Sequence, residues 1–377
     1  MDRGLPLGCP TGVTETQTAL TTVSMQFYIR SSGNISPQNT FGQVPFLAEA
    51  VVSGPGKFSC LEPDYRQYID AKMIRRMSRI IKMGVAAAQE CLKAAGLQMP
   101  DAIITGTAYG CLEDTGLFLT KMVEQQEELL TPTAFIQSTH NTVGAQIALM
   151  LQCHNYNNTF VHRGFSFESA LLDAAMLLGE RPASQILVGG LDEITGYSHE
   201  LLSRLGLYKG AGSRGSAGLF SGQSSGTIGG EGACFFVVTG SRREGDWASV
   251  DAMTTFYKPD SMQTTCRYVD SFLDSQGLAP ADIDLVITGR NGDFRGDEIY
   301  RHLLKDVLGN PCHIPYKHLC GEYPTSTAFA IWLAARILQS GSVPAAAGTG
   351  PAKTIRRVLV YNHYHNIHHS LFMLTAC

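Results

Sequence analysis

AAGLQMPDAIITGTAYG, residues 94–110, and SQGLAPADIDLVITGRNG, residues 275–292, follow one pattern. Each passes from a helix end through a Gly-Leu pair and a short linker to an aspartate. An apolar strand and a Thr-Gly turn follow. The match is longer than turn chemistry alone requires. Its spacing of about 180 residues indicates an internal duplication, not a solenoid of short repeats. The chain is therefore expected to form two similar halves, residues 25–240 and 241–377. Residues 1–24 are expected to be a flexible N-terminal extension without the apolar core of a signal peptide, and Met25 is a plausible natural start.

Working outward, Met73, Met77, Ile80, Ile81, Val85, Ala88 and Leu92 recur at helical spacing, which predicts one helix over residues 71–95. Tyr268 to Leu273 predicts the matching helix before the second passage. Further helices are expected at 143–151, 169–179 and 326–340, the last capped by Gly341. QILVGG (185–190), ACFFVVTG (233–240) and VLVYN (358–362) have the continuous apolar character of strands covered on both faces. The Gly- and Ser-rich stretch from 209 to 232 is expected to be a surface or site loop between the halves.

Composition narrows the function classes. With 44% hydrophobic residues, the 377-residue chain can fill a substantial core. Lys and Arg total 29 against 33 Asp and Glu, so bulk positive charge cannot drive nucleic-acid binding. None of the ten cysteines forms a CxxC pair, which disfavours a zinc ribbon or redox motif and fits a reducing cytoplasm. No stretch reaches the roughly 18 apolar residues of a membrane span.

Ordered landmarks then carry a resemblance. They are YIRSSGNISP (28–37), MIRRMSR (73–79), GTAYG (106–110), VGGLD (188–192), GEGA (230–233) and the pair Lys317 and Gly321. Together the sequence from Met25 onward resembles a β-ketoacyl synthase of the thiolase superfamily. The resemblance implies an α/β fold: a thiolase-like five-layer α/β/α/β/α sandwich of two duplicated halves with mixed sheets.

That family's chemistry uses a cysteine at a helix N-terminus, whose pKa the helix dipole lowers, to attack an acyl thioester. Two histidines assist decarboxylation and stabilise the enolate. Carried onto this chain, the nucleophile position falls on Gly164. The first histidine position falls on Gly289 of GRNGDFRGD (289–297), and the second on Glu322 of KHLCGE (317–322). No catalytic position is intact while the frame around all three persists. This combination resembles the chain-length factor, the inactive partner of an active ketosynthase in type II polyketide and aryl-polyene systems. The resemblance then implies a heterodimer with an active β-ketoacyl synthase and an acyl carrier protein that delivers acyl and malonyl groups. It implies no metal and no soluble cofactor.

Other residues allow a functional and a plainer reading. Lys72, Arg75 and Arg76 share one helical face and match carrier-protein docking positions in the family; a solvated basic face is the plainer reading. Thr133 and Ala134 match a segment that crosses the dimer interface and ends the partner's acyl tunnel, where small residues leave room for a longer chain. NHYHNIHH (362–369) would place His363 and His365 on one face of a strand, as a zinc site requires. It replaces an active-site loop of the family and has no adjacent carboxylate or cysteine, so metal binding is not expected. Ser166, the C-terminal histidines, or Glu322 with Asp297 could support an alternative: an independent acyltransferase or thioester hydrolase with rebuilt groups. A homodimeric acyl-binding scaffold is a further alternative.

Overall fold

The computed structural model describes residues 26–42, 44–52, 56–210, 215–222 and 224–377. The proposed N-terminal extension and part of the 209–232 loop lie outside the described residues.

Among the described residues, ten strands form one mixed sheet. The first five are β1 (Phe27–Ile35), β2 (Ala102–Gly106), β3 (Tyr156–Phe160), β4 (Gln185–Asp192) and β5 (Gly232–Thr239). The second five are β6 (Ala248–Tyr257), β7 (Leu285–Thr288), β8 (His313–Pro315), β9 (Arg357–Tyr364) and β10 (His368–Ala376). Their order is β3-β2-β4-β5-β1-β6-β10-β9-β7-β8. Counted inward from each edge, the first five run 3-2-4-5-1 and the second five repeat that order. Directions repeat too: β2 is parallel to β3 and β4, and β7 is parallel to β8 and β9. The β4–β5, β5–β1, β9–β10 and β10–β6 pairs are antiparallel. β1 and β6 join the two sets, with Phe27 opposite Val250.

The helices of the first set are α1 (Ala71–Ile74), α2 (Arg79–Ala94), α3 (Leu112–Glu124), α4 (Pro132–Gln137), α5 (Thr142–Leu151), α6 (Ser166–Glu180) and α7 (Gly196–Arg204). Those of the second are α8 (Met262–Ser275), α9 (Glu298–His302), α10 (Lys317–Cys320) and α11 (Thr327–Ser340).

The two related passages do equivalent work. Gly96 ends α2 and Gly277 follows α8, both at φ +64°. In each case the next leucine amide reaches back to close the helix, Leu97 to the Leu92 carbonyl and Leu278 to the Leu273 carbonyl. Only glycine adopts that left-handed cap without steric cost, which explains both Gly-Leu pairs. The aspartates correspond as well. The Asp101 carboxylate accepts from the Gln185 amide and pins β2 to β4. The Asp284 carboxylate accepts from the Arg356 and Arg357 amides and pins β7 to β9.

The predicted helix over 71–95 is two helices. Ser78 adopts an extended conformation and separates α1 from α2. The break lets Arg79, at the start of α2, turn inward to Glu231, both contacts 2.6 Å. The apolar spacing continues across the break because Met77, Ile80 and Ile81 are buried on both sides of it. Residues 362–369 are likewise not a loop. They are the end of β9, a tight turn at His365 and Asn366 with positive φ, and the start of β10.

Among the described residues, three large apolar cores result, beside a small cluster of Phe58, Leu219 and Ile228. One packs α2 against Ile103, Leu187 and Phe235. Another packs α8 against Val286, Leu359 and Leu371. Between them, α6 and α11 share a core with residues of both strand sets, including Phe167, Phe236, Phe329 and Phe372, all almost fully buried. Burying a phenylalanine of this kind contributes about 1.5–3 kcal/mol, so this shared core couples the two sets.

Candidate functional site

The position expected to match the family nucleophile, Gly164, is at the entry to α6. Arg163 has φ +50°, and residues Arg163–Phe165 form a single 3-10 turn that delivers the chain into the helix. Gly164 is buried there. A Cβ on it would stand 2.7 Å from the Tyr364 Cβ and 2.9 Å from the His368 Cβ. Real Cβ contacts are not that short, so the β9–β10 hairpin occupies the space a cysteine needs. The hydroxyls of Tyr109 and Tyr364 are 3.1 Å apart, which ties the hairpin to the turn after β2.

The other two positions are filled in different ways. At Gly289, directly after β7, a Cβ would stand 2.2 Å from Asn362 Oδ1 and 2.6 Å from the Tyr300 hydroxyl. Asn362 is held by its amide, which donates to Thr327 Oγ1 at 2.9 Å. Glu322 is 2% exposed and forms a buried ion pair with Lys317, with Nζ 2.8 and 2.7 Å from its two oxygens. Asn291 Nδ2 donates to the same carboxylate at 2.6 Å, and Lys317 also donates to the His363 carbonyl at 3.2 Å. Lys317 thus balances the charge of the carboxylate, and three hydrogen bonds hold it in place. The proposed Glu322–Asp297 pairing is not formed. The Asp297 carboxylate instead accepts from the Asn291 and Gly292 amides at 2.9 and 3.0 Å and shapes the turn after β7. Burial raises its pKa, opposed by those amides and by Arg290.

The surrounding landmarks meet through buried carboxylates. Asp192 Oδ1 accepts from Thr107 Oγ1 and from the Ala108 and Tyr109 amides, and its Oδ2 accepts from Thr325. Burial still raises its pKa to about 6. Glu231 accepts from Arg79 and from the Cys60 and Ile194 amides. The GTAYG, VGGLD and GEGA motifs are therefore joints between segments, a structural duty independent of catalysis.

Ser166 begins α6 and is fully buried. Its hydroxyl accepts from the His162 amide and donates to the Arg163 carbonyl, each at 2.8 Å. Among the described residues no imidazole nitrogen hydrogen-bonds to it, so it lacks the adjacent base that activates a serine nucleophile. His162 instead contacts Ser169, at 3.3 Å. His363 does not share a strand face with His365, which lies past the end of β9. Both ring nitrogens of His363 are engaged: Nε2 donates to the Gly296 carbonyl and Nδ1 accepts from the Asn366 amide. Among the described residues, no three His, Cys, Asp or Glu side chains converge on a metal position.

Lys72, Arg75 and Arg76 are all exposed at α1 and its end. The Arg76 carbonyl accepts from the Gln137 side-chain amide at the end of α4. Thr133, exposed, and Ala134, half-buried, lie on that helix, so the basic cluster and the candidate interface segment are neighbours. Beside them α3 and α7 flank an apolar groove of about 750 Å³, lined by Leu112, Leu117, Leu119, Tyr197 and Leu201 among others. Four of these are largely exposed: Leu117 57%, Leu119 46%, Tyr197 73% and Leu201 61%.

Sequence reasoning missed Glu168. It is 1% exposed on α6, and neither carboxylate oxygen has a partner in hydrogen-bond geometry. Burial raises its pKa to about 7, opposed by the nearby Thr327 and Ser370 hydroxyls and by Lys317. The available signal was its spacing: Glu168 stands three residues before Leu171 on the apolar face.

Residues 59–200 match the model of the β-ketoacyl synthase N-terminal domain. No curated protein matches the chain. Several solved structures share its fold over 94% of its length and the whole of theirs. They include the ishigamide ketosynthase/chain length factor, at 17% identity and TM-score 0.74. A β-ketoacyl synthase from Burkholderia phymatum is at 14% and 0.76. A type II polyketide synthase complex of acyl-carrier protein with its ketosynthase bound to the hexaketide is at 14% and 0.69. Among the described residues, no helix is long and apolar enough to cross a membrane. The chain is ketosynthase-like: it matches β-ketoacyl synthases in sequence over residues 59–200 and shares their fold.

Proposed function

We propose that this chain is a non-catalytic chain-length factor. It pairs with an active β-ketoacyl synthase, completes that partner's acyl tunnel and sets the length of a polyketide or aryl polyene. The observation that carries this reading is the filling of all three degenerate positions. Gly164 is covered by Tyr364 and His368, Gly289 by Asn362 and Tyr300, and Glu322 is locked to Lys317. A merely mutated active site would leave a vacant crevice. Here protein atoms stand against each of the three positions, while the groove between α3 and α7 is open and apolar.

That groove suits an acyl chain, and the exposed apolar side chains around it suit burial in an assembly. β3 lies at the sheet edge, with no strand on its outer side among the described residues. Lys72, Arg75 and Arg76 would receive an acidic carrier protein, and Thr133 and Ala134 would face the end of the tunnel. In this reading the chain is a thiolase-like five-layer sandwich with halves at 25–240 and 241–377 and an extension at 1–24. It works in the cytoplasm without a metal or soluble cofactor of its own.

The test is co-expression with an intact Cys-His-His ketosynthase from the same gene neighbourhood, followed by size-exclusion chromatography. A stable one-to-one complex is expected. A chain that remains alone and turns over acyl thioesters would instead be an independent enzyme. A homodimer without turnover would be a scaffold.

A further inference from the structure

β1 and β6 run side by side only where Phe27 to Ile29 lie opposite Ala248 to Val250. A cavity of about 100 Å³ lies where they part, closed on one side by residues 44–47. α2 reaches it with Glu90, α11 with Trp332 and Arg336, β1 with Asn34, and the chain before β6 with Trp247. None of the three degenerate positions lines it. We infer that this cavity binds a small zwitterion of the α-amino-acid class, its carboxylate on Arg336 and its ammonium on Glu90.

Two opposite charges stand on its walls without a counterion. Arg336 is half-buried, and Glu90 is 9% exposed. Neither takes part in any salt bridge among the described residues, so they do not pair with each other. The Arg336 guanidinium carbon lies 5.2 Å from the centres of both the Phe46 and the Trp247 rings. Its one side-chain hydrogen bond among the described residues runs from Nη1 to Gln339, at 3.0 Å. Stacking between two rings positions the guanidinium and leaves its remaining edge donors free for a planar anion. Burial lowers its pKa, the mark of a charge drawn out of water without a partner. The Glu90 carboxylate accepts one hydrogen bond, from the Tyr68 hydroxyl at 3.0 Å, which leaves acceptor capacity for an ammonium.

Asn34 adds a neutral polar group on the same side as α11. Gly33 turns its missing side chain toward α2, where a Cβ would meet the Ala87 carbonyl, so Asn34 beside it points the other way. It is 2% exposed, and its Nδ2 has no hydrogen-bond partner. A buried donor left unmatched is costly, and a carboxylate held by Arg336 would supply its acceptor. The ligand must carry both signs. An anion alone leaves Glu90 unmatched, and a cation alone leaves Arg336 so. Trp332, 5% exposed, meets Phe46 edge to face at 5.7 Å and gives the cavity a short apolar wall. The volume admits a small side chain and no more.

The chain has two tryptophans, and both line this cavity, so intrinsic fluorescence reports its occupancy. Titration of the full chain with L-alanine at neutral pH and fixed ionic strength tests the site, with calorimetry as the second readout. Saturable one-to-one binding is expected. Propionate, which lacks the ammonium, and ethylamine, which lacks the carboxylate, should each bind at least about tenfold more weakly. Glu90→Gln keeps an acceptor for Tyr68, so the fold should stand while L-alanine binds about tenfold more weakly and propionate as before. Arg336→Gln should weaken L-alanine and propionate alike. Absence of saturable change in both fluorescence and heat overturns the inference. So does propionate or ethylamine binding as tightly as L-alanine, or a Glu90→Gln titration identical to the parent.

Discussion

The Cβ of Tyr364 lies over Gly164 so closely that a Cβ on the glycine would approach it to 2.7 Å. The two residues are 200 positions apart in sequence, yet together they decide whether the α6 entry can hold a nucleophile. Introducing a cysteine at 164 alone should therefore not create acyl-transfer chemistry. Gly164→Cys is expected to cost about 1–3 kcal/mol by overpacking and to form no acyl-enzyme. Intact-protein mass after incubation with an acyl thioester checks the second point, and urea unfolding checks the first. An acyl adduct on the introduced thiol would show that the hairpin yields.

The Lys317–Glu322 pair gives a stability prediction. Removing one partner leaves an uncompensated buried charge, so Lys317→Met is expected to cost about 3–5 kcal/mol. The double variant Lys317→Met with Glu322→Leu should recover much of that loss. A double-mutant cycle by chemical denaturation measures it, and additive losses would show that the two charges are not coupled.

Glu168 makes stability depend on pH. Its folded pKa is raised to about 7 from the ordinary 4.5, so the unfolded chain ionises first as pH rises. The folded state binds more protons than the unfolded state between those values, and stability falls through that window. Above about pH 7 the full cost remains, on the order of 3 kcal/mol. Glu168→Gln should therefore leave stability nearly unchanged at pH 4.5 and raise it at pH 8. Denaturation midpoints at the two pH values decide the matter; an equal effect at both would contradict the assignment.

The groove between α3 and α7 should matter to assembly and not to folding. Leu201 is 61% exposed, so Leu201→Glu should leave thermal unfolding within about 1 °C. The same change should weaken binding to the ketosynthase partner by about tenfold, the usual penalty for a charge in an interface core. A chain that binds its partner as well as before would place the interface elsewhere.

The fold was legible because local and long-range requirements coincide in two passages. A left-handed glycine, a following leucine and an aspartate at the strand start leave the same mark at 94–106 and 275–289. The absence of cysteine at 164 and of histidine at 289 and 322 was equally visible. What fills those positions was not. Tyr364, His368 and Asn362 belong to β9 and β10, and their approach to α6 and β7 depends on sheet order, which periodicity does not encode. The same limit hid the break at Ser78. Helical spacing of apolar residues continues through it, and the reason for the turn is Glu231, more than 150 residues away.

The most direct measurement is product mass from the reconstituted pair of this chain and an intact ketosynthase, with Thr133→Phe and Ala134→Phe introduced into this chain alone. Both positions lie on α4, where an added ring has room to project from the surface. The account predicts shorter products from both variants at unchanged complex stability. Products of unaltered length from a stable complex would contradict it.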